Sequence, residues 1–163
     1  MTITAEDLKH LRRCVELARE ALEDGDSPFG SLLTDADGNV LFEDRNRISG
    51  GDATRHPEFA IARWAAANLT PEERQAATVY TSGEHCAMCA AAHGLVGLGR
   101  IVYASSTEQR LGWLQELGVQ PGALKPLAIN DVVPGVPVSG PAEELAGEIR
   151  ELQTAYLERQ QRR

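Results

Sequence analysis

Two short motifs, His56-Pro57-Glu58 and Cys86-Ala87-Met88-Cys89, constrain this chain more than any other feature of its 163 residues. Cysteines three positions apart lie on the same face of a helix, so both thiols can point at one metal ion. With a nitrogen ligand from His56, this set leaves one tetrahedral position open, which is the form of a catalytic zinc site. Glu58, two residues after His56, is then placed to transfer protons.

Local backbone chemistry predicts how the side chains of the first motif meet. Proline is favoured at the first position of a helix and pushes the preceding residue out of the helical region. We therefore expect His56 to be the N-cap of a helix in which Pro57 is first and Glu58 second. Residues two apart face away from each other in mid-helix, but the irregular backbone of an N-cap lets His56 and Glu58 converge.

A closed, purely structural zinc site is the main alternative from the same residues. His56, His85, Cys86 and Cys89 could supply four ligands, which is typical of a structural site. The protein would then be a zinc-stabilised binding or scaffold protein without chemistry. Against this, the neighbouring His85 and Cys86 would both have to bend toward one ion, and Glu58 would have no role.

The two motifs resemble the H-x-E and P-C-x-x-C signature of zinc-dependent base deaminases. On these residues the chain is similar to the cytidine deaminase-like superfamily, and it resembles the guanine and tRNA-adenosine branch more than the cytidine branch. Ser27-Pro28-Phe29-Gly30 is similar to the Pro-Phe-Gly entry into the first strand, and 52–56 is similar to the Asp-Pro-Thr-Ala-His segment. The chain departs from the family pattern at four positions, so its substrate need not be the usual one of the branch: Ala53, Arg55, Pro57 and His85.

The resemblance implies an α/β fold, a three-layer α/β/α sandwich around a five-stranded mixed sheet. It implies Zn²⁺ held by His56, Cys86 and Cys89. In such enzymes Glu58 would take a proton from the attacking water and pass protons to the ring nitrogen and the departing ammonia. The resemblance also implies a homodimer.

Further side chains are candidates for substrate contact, and each has a structural alternative. By resemblance Asn46 occupies the place of a substrate-contacting asparagine, and the alternative is a turn residue that bonds its own backbone. Phe29 and Trp113 can line the pocket or pack in the core. His85 can contact substrate or merely replace the family's proline near the helix cap. Glu84 matches a glutamate of the family and is expected to bond a metal ligand, or else to be solvated.

Hydrophobic periodicity and turn residues predict the order of the elements. A capping box at Thr4 and Asp7 opens the first helix. The last two strands are expected to be parallel, because a helix separates them. A loop rich in Pro and Gly is expected over 134–141, and the last residues, 162–163, are expected to fray. Helices are predicted over 4–23, 57–69, 86–98, 107–117 and 142–160, and strands over 29–34, 40–44, 77–81, 100–105 and 125–130.

Charge and composition narrow the function. The net charge is −8, with 16 basic against 24 acidic residues, and such a field repels a polyanion such as tRNA. Arg45, Arg47 and Arg55 cluster in sequence near the motifs and could still form a local basic patch. The chain lacks a run of 18 apolar residues and its N-terminus does not resemble a secretion signal. We therefore expect one cytoplasmic domain over 1–163, without nucleic-acid or membrane partners.

These observations predict a zinc-dependent hydrolase that deaminates a free aminated heterocyclic base and releases ammonia. By resemblance a guanine-like purine comes first, and cytosine-like or triazine-like rings are further candidates. Editing of adenosine in tRNA is the second hypothesis, and it requires a basic stripe beside the pocket. The non-catalytic zinc protein is the third, and it requires four protein ligands.

Overall fold

The first helix shows how closely local sequence sets the boundaries of the elements. A computed structural model describes residues 2–162; Arg163, for which fraying is expected, lies outside this range. In α1 the Thr4 hydroxyl accepts from the Asp7 N–H and the Asp7 carboxylate accepts from the Thr4 N–H, which confirms the capping box. The helices are α1 (Ala5–Glu23), α2 (Pro57–Asn68), α3 (Pro71–Ala76), α4 (Ala87–Val96), α5 (Thr107–Glu116), α6 (Ile129–Val132) and α7 (Glu143–Gln161).

Five strands form one mixed sheet in the order β2-β1-β3-β4-β5. β1 pairs antiparallel with both β2 and β3, whereas β3 pairs parallel with β4, and β4 with β5. The predicted hairpin, mixed sheet and parallel pairing of the last two strands are thereby confirmed. The strands are β1 (Gly30–Thr34), β2 (Val40–Arg45), β3 (Thr78–Gly83), β4 (Arg100–Ser105) and β5 (Val138–Ser139).

Alternation along the central strands produces three layers, because successive side chains of a strand point to opposite faces. On β1, Leu32 packs in a core with α1 and α7, whereas Leu33 packs with α2 on the other face. Tyr80 and Val79 on β3 divide between the same two cores. Ser31 has the parity of Leu33, and it therefore faces α2. No helix among residues 2–162 is long and apolar enough to span a membrane.

The last strand lies elsewhere than the sequence predicts. Residues 125–130 were expected to form it, but this segment is irregular and ends in α6, where Ile129 packs against Ala90 and Ile101. The strand is Val138–Ser139, inside the segment expected to be a loop. An edge strand tolerates nearby proline because one side needs no N–H donors, and the Pro137 carbonyl accepts from the Ile101 N–H at 2.9 Å.

Candidate metal centre and active site

The two motifs meet at the N-termini of α2 and α4. His56 is the N-cap of α2, with extended backbone angles (φ −84°, ψ 143°), and Pro57 is the first helical residue, as predicted. Cys86 is the N-cap of α4, which places Cys89 in its first turn. His56 Nδ1 lies 3.6 Å from the Sγ atom of each cysteine.

These three atoms fit a tetrahedral zinc ion. Zn–S bonds of about 2.3 Å and Zn–N bonds of about 2.0–2.1 Å at tetrahedral angles separate the nitrogen and sulfur atoms by about 3.6 Å. The potential ligand atoms of His56, Cys86 and Cys89 all lie within 4.8 Å of one another. The donor set is therefore that of a zinc site with three protein ligands.

The pKa values of the two thiols are shifted in opposite directions. A hydrogen bond from Cys89, helped by one with His56, lowers the pKa of Cys86 to about 4. The same bond to the Cys86 thiolate, together with burial, raises the pKa of Cys89. Hydrogen bonding with Cys86 also raises the pKa of His56, against the effect of burial. The lowered pKa of Cys86 favours its thiolate, which is the form that ligates zinc.

His85 does not join this ligand group. Its side chain is 1% exposed, and its ring packs edge-on against His93 with 5.5 Å between ring centroids. Within the described chain, the group of potential ligands comprises only His56, Cys86 and Cys89. His93 is also buried, and its Nε2 is 2.8 Å from the Gly99 carbonyl oxygen. The geometry disfavours a closed four-ligand site, and substrate contact by His85 stays a prediction.

Glu58 lies beside the ligand triangle in a buried environment. Its side chain is 6% exposed, and Oε2 is 3.8 Å from Cys89 Sγ. Burial raises the pKa of Glu58, although a hydrogen bond from Thr81 and the charge of His56 oppose the rise. A carboxyl group with a raised pKa can both accept and release a proton near neutral pH.

Two hydroxyl groups on the sheet hold the other carboxylate oxygen of Glu58. Oε1 is 2.7 Å from Thr81 Oγ1 and 3.1 Å from Ser31 Oγ. The two hydroxyls are 2.8 Å apart, and Thr81 Oγ1 is also 2.9 Å from the Gly83 carbonyl oxygen. Each hydroxyl has one proton to donate. The shortest of these contacts, 2.7 Å, assigns the Thr81 proton to Glu58, and the Ser31 proton is donated to Glu58 or to Thr81, so Glu58 has at least one donor.

Ser31 and Thr81 were missed by the sequence analysis. They are paired across β1 and β3, fifty residues apart, and both are fully buried. A signal was available, because a polar residue inside an otherwise apolar buried strand needs a hydrogen-bond partner. The identity of that partner depends on the register of two strands and cannot be obtained from local pattern.

Asn46 and Phe29 lie together at the entrance to β1. The Asn46 N–H donates to the Phe29 carbonyl at 3.0 Å, and the Asn46 side-chain oxygen accepts from the Ile48 N–H at 3.3 Å. The turn-type bond considered for Asn46 is therefore present. Its amide nitrogen makes no hydrogen bond with any residue of the described chain, which leaves this donor available to a ligand.

Glu84 and Trp113 lie in less direct positions. The Glu84 carboxylate accepts from the backbone N–H groups of Thr107 at 2.8 Å and of Ile129 at 3.1 Å. Its hydrogen bonds therefore hold the starts of α5 and α6 beside the β3–α4 turn, and a bond to a metal ligand is not observed among the described residues. Trp113 packs against the core that α1 and α7 share, on the sheet face away from Glu58; a role in covering substrate stays a prediction.

Comparison with known proteins places the motif-bearing region in one family. The sequence profile of the cytidine and deoxycytidylate deaminase zinc-binding region matches residues 4–105. The chain is 32% identical over 128 residues to a probable cytosine deaminase of Schizosaccharomyces pombe, covering 78% of this chain and 75% of that protein. It is 35% identical over 104 residues to a tRNA-specific adenosine deaminase of Agrobacterium fabrum, covering 63% and 66%.

A solved structure shows the same fold over almost the whole chain. The structure of guanine deaminase from Nitrosomonas europaea superposes with a TM-score of 0.70, covering 94% of this chain and 87% of that one at 19% identity. This similarity confirms the predicted sandwich with its five-stranded mixed sheet. Together with the ligand triangle and Glu58, these matches show that the chain belongs to the cytidine and deoxycytidylate deaminase family, and that it is a zinc-dependent deaminase.

Proposed function

We propose that this protein hydrolytically deaminates a free aminated heterocyclic base, with Glu58 as the proton carrier. The observation that carries the proposal is the buried Glu58 carboxylate beside the three-ligand triangle, with Oε2 3.8 Å from Cys89 Sγ. A structural zinc site needs no such carboxylate. The hydroxyls of Ser31 and Thr81 fix one oxygen, Oε1, so that the other is directed to the metal side.

The chemistry follows from these positions. His56, Cys86 and Cys89 would hold Zn²⁺, which would supply the Lewis acid that makes water nucleophilic at neutral pH. Glu58 accepts a proton from the attacking water and delivers protons to the ring nitrogen and the departing amine. Water adds to the ring carbon that bears the amine, the carbon–nitrogen bond breaks, and ammonia leaves. An oxo group then replaces the amine.

Ion pairs beside the site favour a small substrate over tRNA. The arginines that could have formed a basic patch are neutralised: Arg45 contacts Asp24 at 2.5 Å, and Arg47 contacts Asp44 at 2.9 Å. Only Arg55 of that cluster forms no ion pair within residues 2–162. A protein that binds RNA must instead direct its cations at phosphates. The acidic net charge of −8 acts in the same direction.

The choice among rings draws support from the relatives. The match to the probable cytosine deaminase covers 78% of the chain, and the match to the tRNA-specific adenosine deaminase covers 63%. We retain guanine-like purines and cytosine-like pyrimidines as the proposed substrates, with triazine-like rings behind them. The free amide nitrogen of Asn46 supports a ring that offers a hydrogen-bond acceptor.

Ammonia release from a panel of substrates tests this proposal. The panel contains free bases, nucleosides and a tRNA anticodon stem-loop, and Glu58→Gln is assayed beside the wild type. We expect release from a free base, and a loss of about 10²- to 10⁴-fold in Glu58→Gln with its zinc retained. Glu72→Gln is a matched control, because Glu72 follows a proline at the start of α3 but is exposed.

Three results would contradict the proposal. Release from the RNA alone would establish tRNA editing and overturn the argument from charge. Near-normal turnover by Glu58→Gln would remove Glu58 from the mechanism. If no compound on the panel releases ammonia, free-base deamination is refuted for these rings.

We also propose a homodimer in a reducing cytoplasm. α4 is apolar along its length, yet only Cys89, Ala90 and His93 on it are buried, and Leu95 is 88% exposed. A helix that is apolar all round is normally covered. The three cysteines are free thiols, and thiol ligands are preserved in a reducing compartment. Sedimentation velocity of wild type and Leu95→Glu tests the dimer, which the variant should dissociate.

A further inference from the structure

Arg110 carries a positive charge that nothing in the described protein neutralises. It lies on α5, one turn after the N-cap Ser106, and its side chain is partly buried. Its Nε atom is buried without a hydrogen-bond partner. Across residues 2–162, Arg110 forms neither an ion pair nor a hydrogen bond through its side chain. By contrast, Arg45 and Arg47 each contact a carboxylate.

Several contacts place Arg110 at the active site. Its guanidinium carbon is 5.6 Å from the centroid of the Phe29 ring. The Phe29 ring packs so closely on Gly83, at the end of β3, that a Cβ there would meet it at 2.7 Å. Gly83 is three residues before the zinc ligand Cys86. Glu84, through its bond to the Thr107 N–H, holds the start of α5 at the same turn.

The charge of Arg110 interacts with the metal ligands but is not bonded to them. Burial lowers the pKa of Arg110, and the negative charge of Cys86 opposes this effect. Arg110 in turn is among the charges that lower the pKa of His56, although the net shift there is upward. No hydrogen bond joins Arg110 to either ligand in the described chain. The N–H groups of the two terminal guanidinium nitrogens, unlike the buried Nε–H, are therefore available to a molecule bound beside the ligand triangle.

An unpaired guanidinium group favours ligands with a particular arrangement of hydrogen-bond acceptors. A partly buried cation without a partner is costly, and a planar fork binds best to an oxygen acceptor with a second acceptor beside it. Amino-oxo rings such as guanine and cytosine present an oxo oxygen, and in guanine the unprotonated N7 is a second acceptor beside O6. Adenine and diamino rings lack this oxygen. The Phe29 ring keeps the guanidinium in place through a cation–π contact.

We infer that Arg110 is a specificity-determining residue that binds the oxo oxygen of the substrate, with N7 as a second acceptor when the ring is guanine. The protein is thereby directed to heterocycles that carry both an amine and an oxo group. This inference rests on the proposed function, because it concerns the same pocket. It excludes adenine-type rings as preferred substrates.

Matched pairs of substrates test the inference. Guanine is compared with 2,6-diaminopurine, and cytosine with 2,4-diaminopyrimidine, because each pair differs in one oxo group. For the wild type we expect the oxo member to have the higher kcat/KM. In Arg110→Gln this preference should fall by about 10- to 100-fold, the discrimination expected of a bidentate contact. Arg63→Gln, an exposed arginine on α2, is the control and should behave as wild type.

Zinc content and thermal unfolding of both variants complete the test. Equal losses on both members of a pair, accompanied by loss of zinc, would overturn the inference and assign Arg110 to charge balance at the thiolates. An unchanged preference in a folded, zinc-loaded Arg110→Gln would overturn it as well.

Calorimetric binding of the product-like rings xanthine and uracil separates this inference from the proposed function. If the wild type turns over no ring, the proposed function fails. Binding of xanthine or uracil that is lost in Arg110→Gln but kept in Arg63→Gln still supports the contact. Binding that is absent, or that does not depend on Arg110, refutes it.

Discussion

Thr81→Val removes a hydroxyl from the carboxylate of Glu58 with almost no change of shape, and its effect can be worked out from the structure. Thr81 Oγ1 is 2.7 Å from Glu58 Oε1, and its hydrogen bond is the largest influence that holds down the raised pKa of Glu58. A hydrogen bond to a buried charged group contributes about 1.5–3 kcal/mol. Loss of this bond should raise the pKa of Glu58 further, and since about 1.4 kcal/mol corresponds to a factor of ten, the ionised fraction on the acid side should fall by about tenfold or more.

The direction of the pKa shift of Glu58 determines which pH range the assay must cover. Glu58 must be ionised to accept a proton from water, so a higher pKa moves the acid limb of the kcat/KM profile to higher pH. Thr81→Val should therefore lose at least about tenfold in activity on the acid side and recover much of it at alkaline pH. Ser31→Ala should shift the limb in the same direction but less, since its bond of 3.1 Å is longer.

Thr34→Val is the matched control for this experiment. Thr34 is also a buried threonine on the sheet, 1% exposed, but it lies on the opposite face of β1 from Ser31. Its variant should keep the wild-type profile. If Thr81→Val retains zinc and thermal stability and its profile superimposes on that of the wild type, the hydroxyl does not tune Glu58 and the reasoning is refuted.

Two further predictions concern the metal and the acid stability. Cys86→Ser should lose zinc and thermal stability together, because ligand bonds also hold the N-termini of α2 and α4; full zinc content by elemental analysis in a stably folded variant would refute the ligand assignment. Asp7→Asn should destabilise the protein by about 3 kcal/mol at pH 7 in urea unfolding, because it breaks a buried pair with Arg100. Burial acts to raise the pKa of Asp7, but bonds from Arg100, Thr4 and Tyr80 outweigh it and the pKa is lowered. This stabilisation is present above the unfolded pKa of about 3.9 and is lost as pH falls through the lower folded pKa, so wild type and variant should converge in acid; a constant difference down to pH 3 would contradict the argument.

Local sequence predicted the elements whose signals are local. The capping box at Thr4, the N-cap at His56 and the hairpin of β1 and β2 all depend on residues within a few positions of one another. The metal ligands belong to the same class, because each motif opens its own helix. The last strand was misplaced because β5 has only two residues and obtains its bonds from β4, through Ile101 and Pro137, so no pattern of its own marks it.

The two motifs could not predict contacts between residues on different strands of the sheet. Ser31 meets Thr81 only because β1 and β3 pair in one register, and a shift of either strand by one residue would turn its hydroxyl to the other face of the sheet. The position of Arg110 beside Phe29 depends on the bond from Glu84 that holds the start of α5. The proposed tuning of Glu58 and the proposed choice of ring both rest on these contacts, which are set by packing between distant segments.

The sequence by itself determined which chemical groups form the site of this protein. The tertiary structure determined the protonation and the charge environment of those groups. Ligand types and their spacing specify a zinc ion with an open position and a nearby carboxylate, since metal geometry allows few other arrangements. The protonation of Glu58 and the exposure of the Arg110 charge depend instead on burial and on partners brought together by folding. Electrostatic free energies change with every buried neighbour, so only the assembled sheet and its helices could set them.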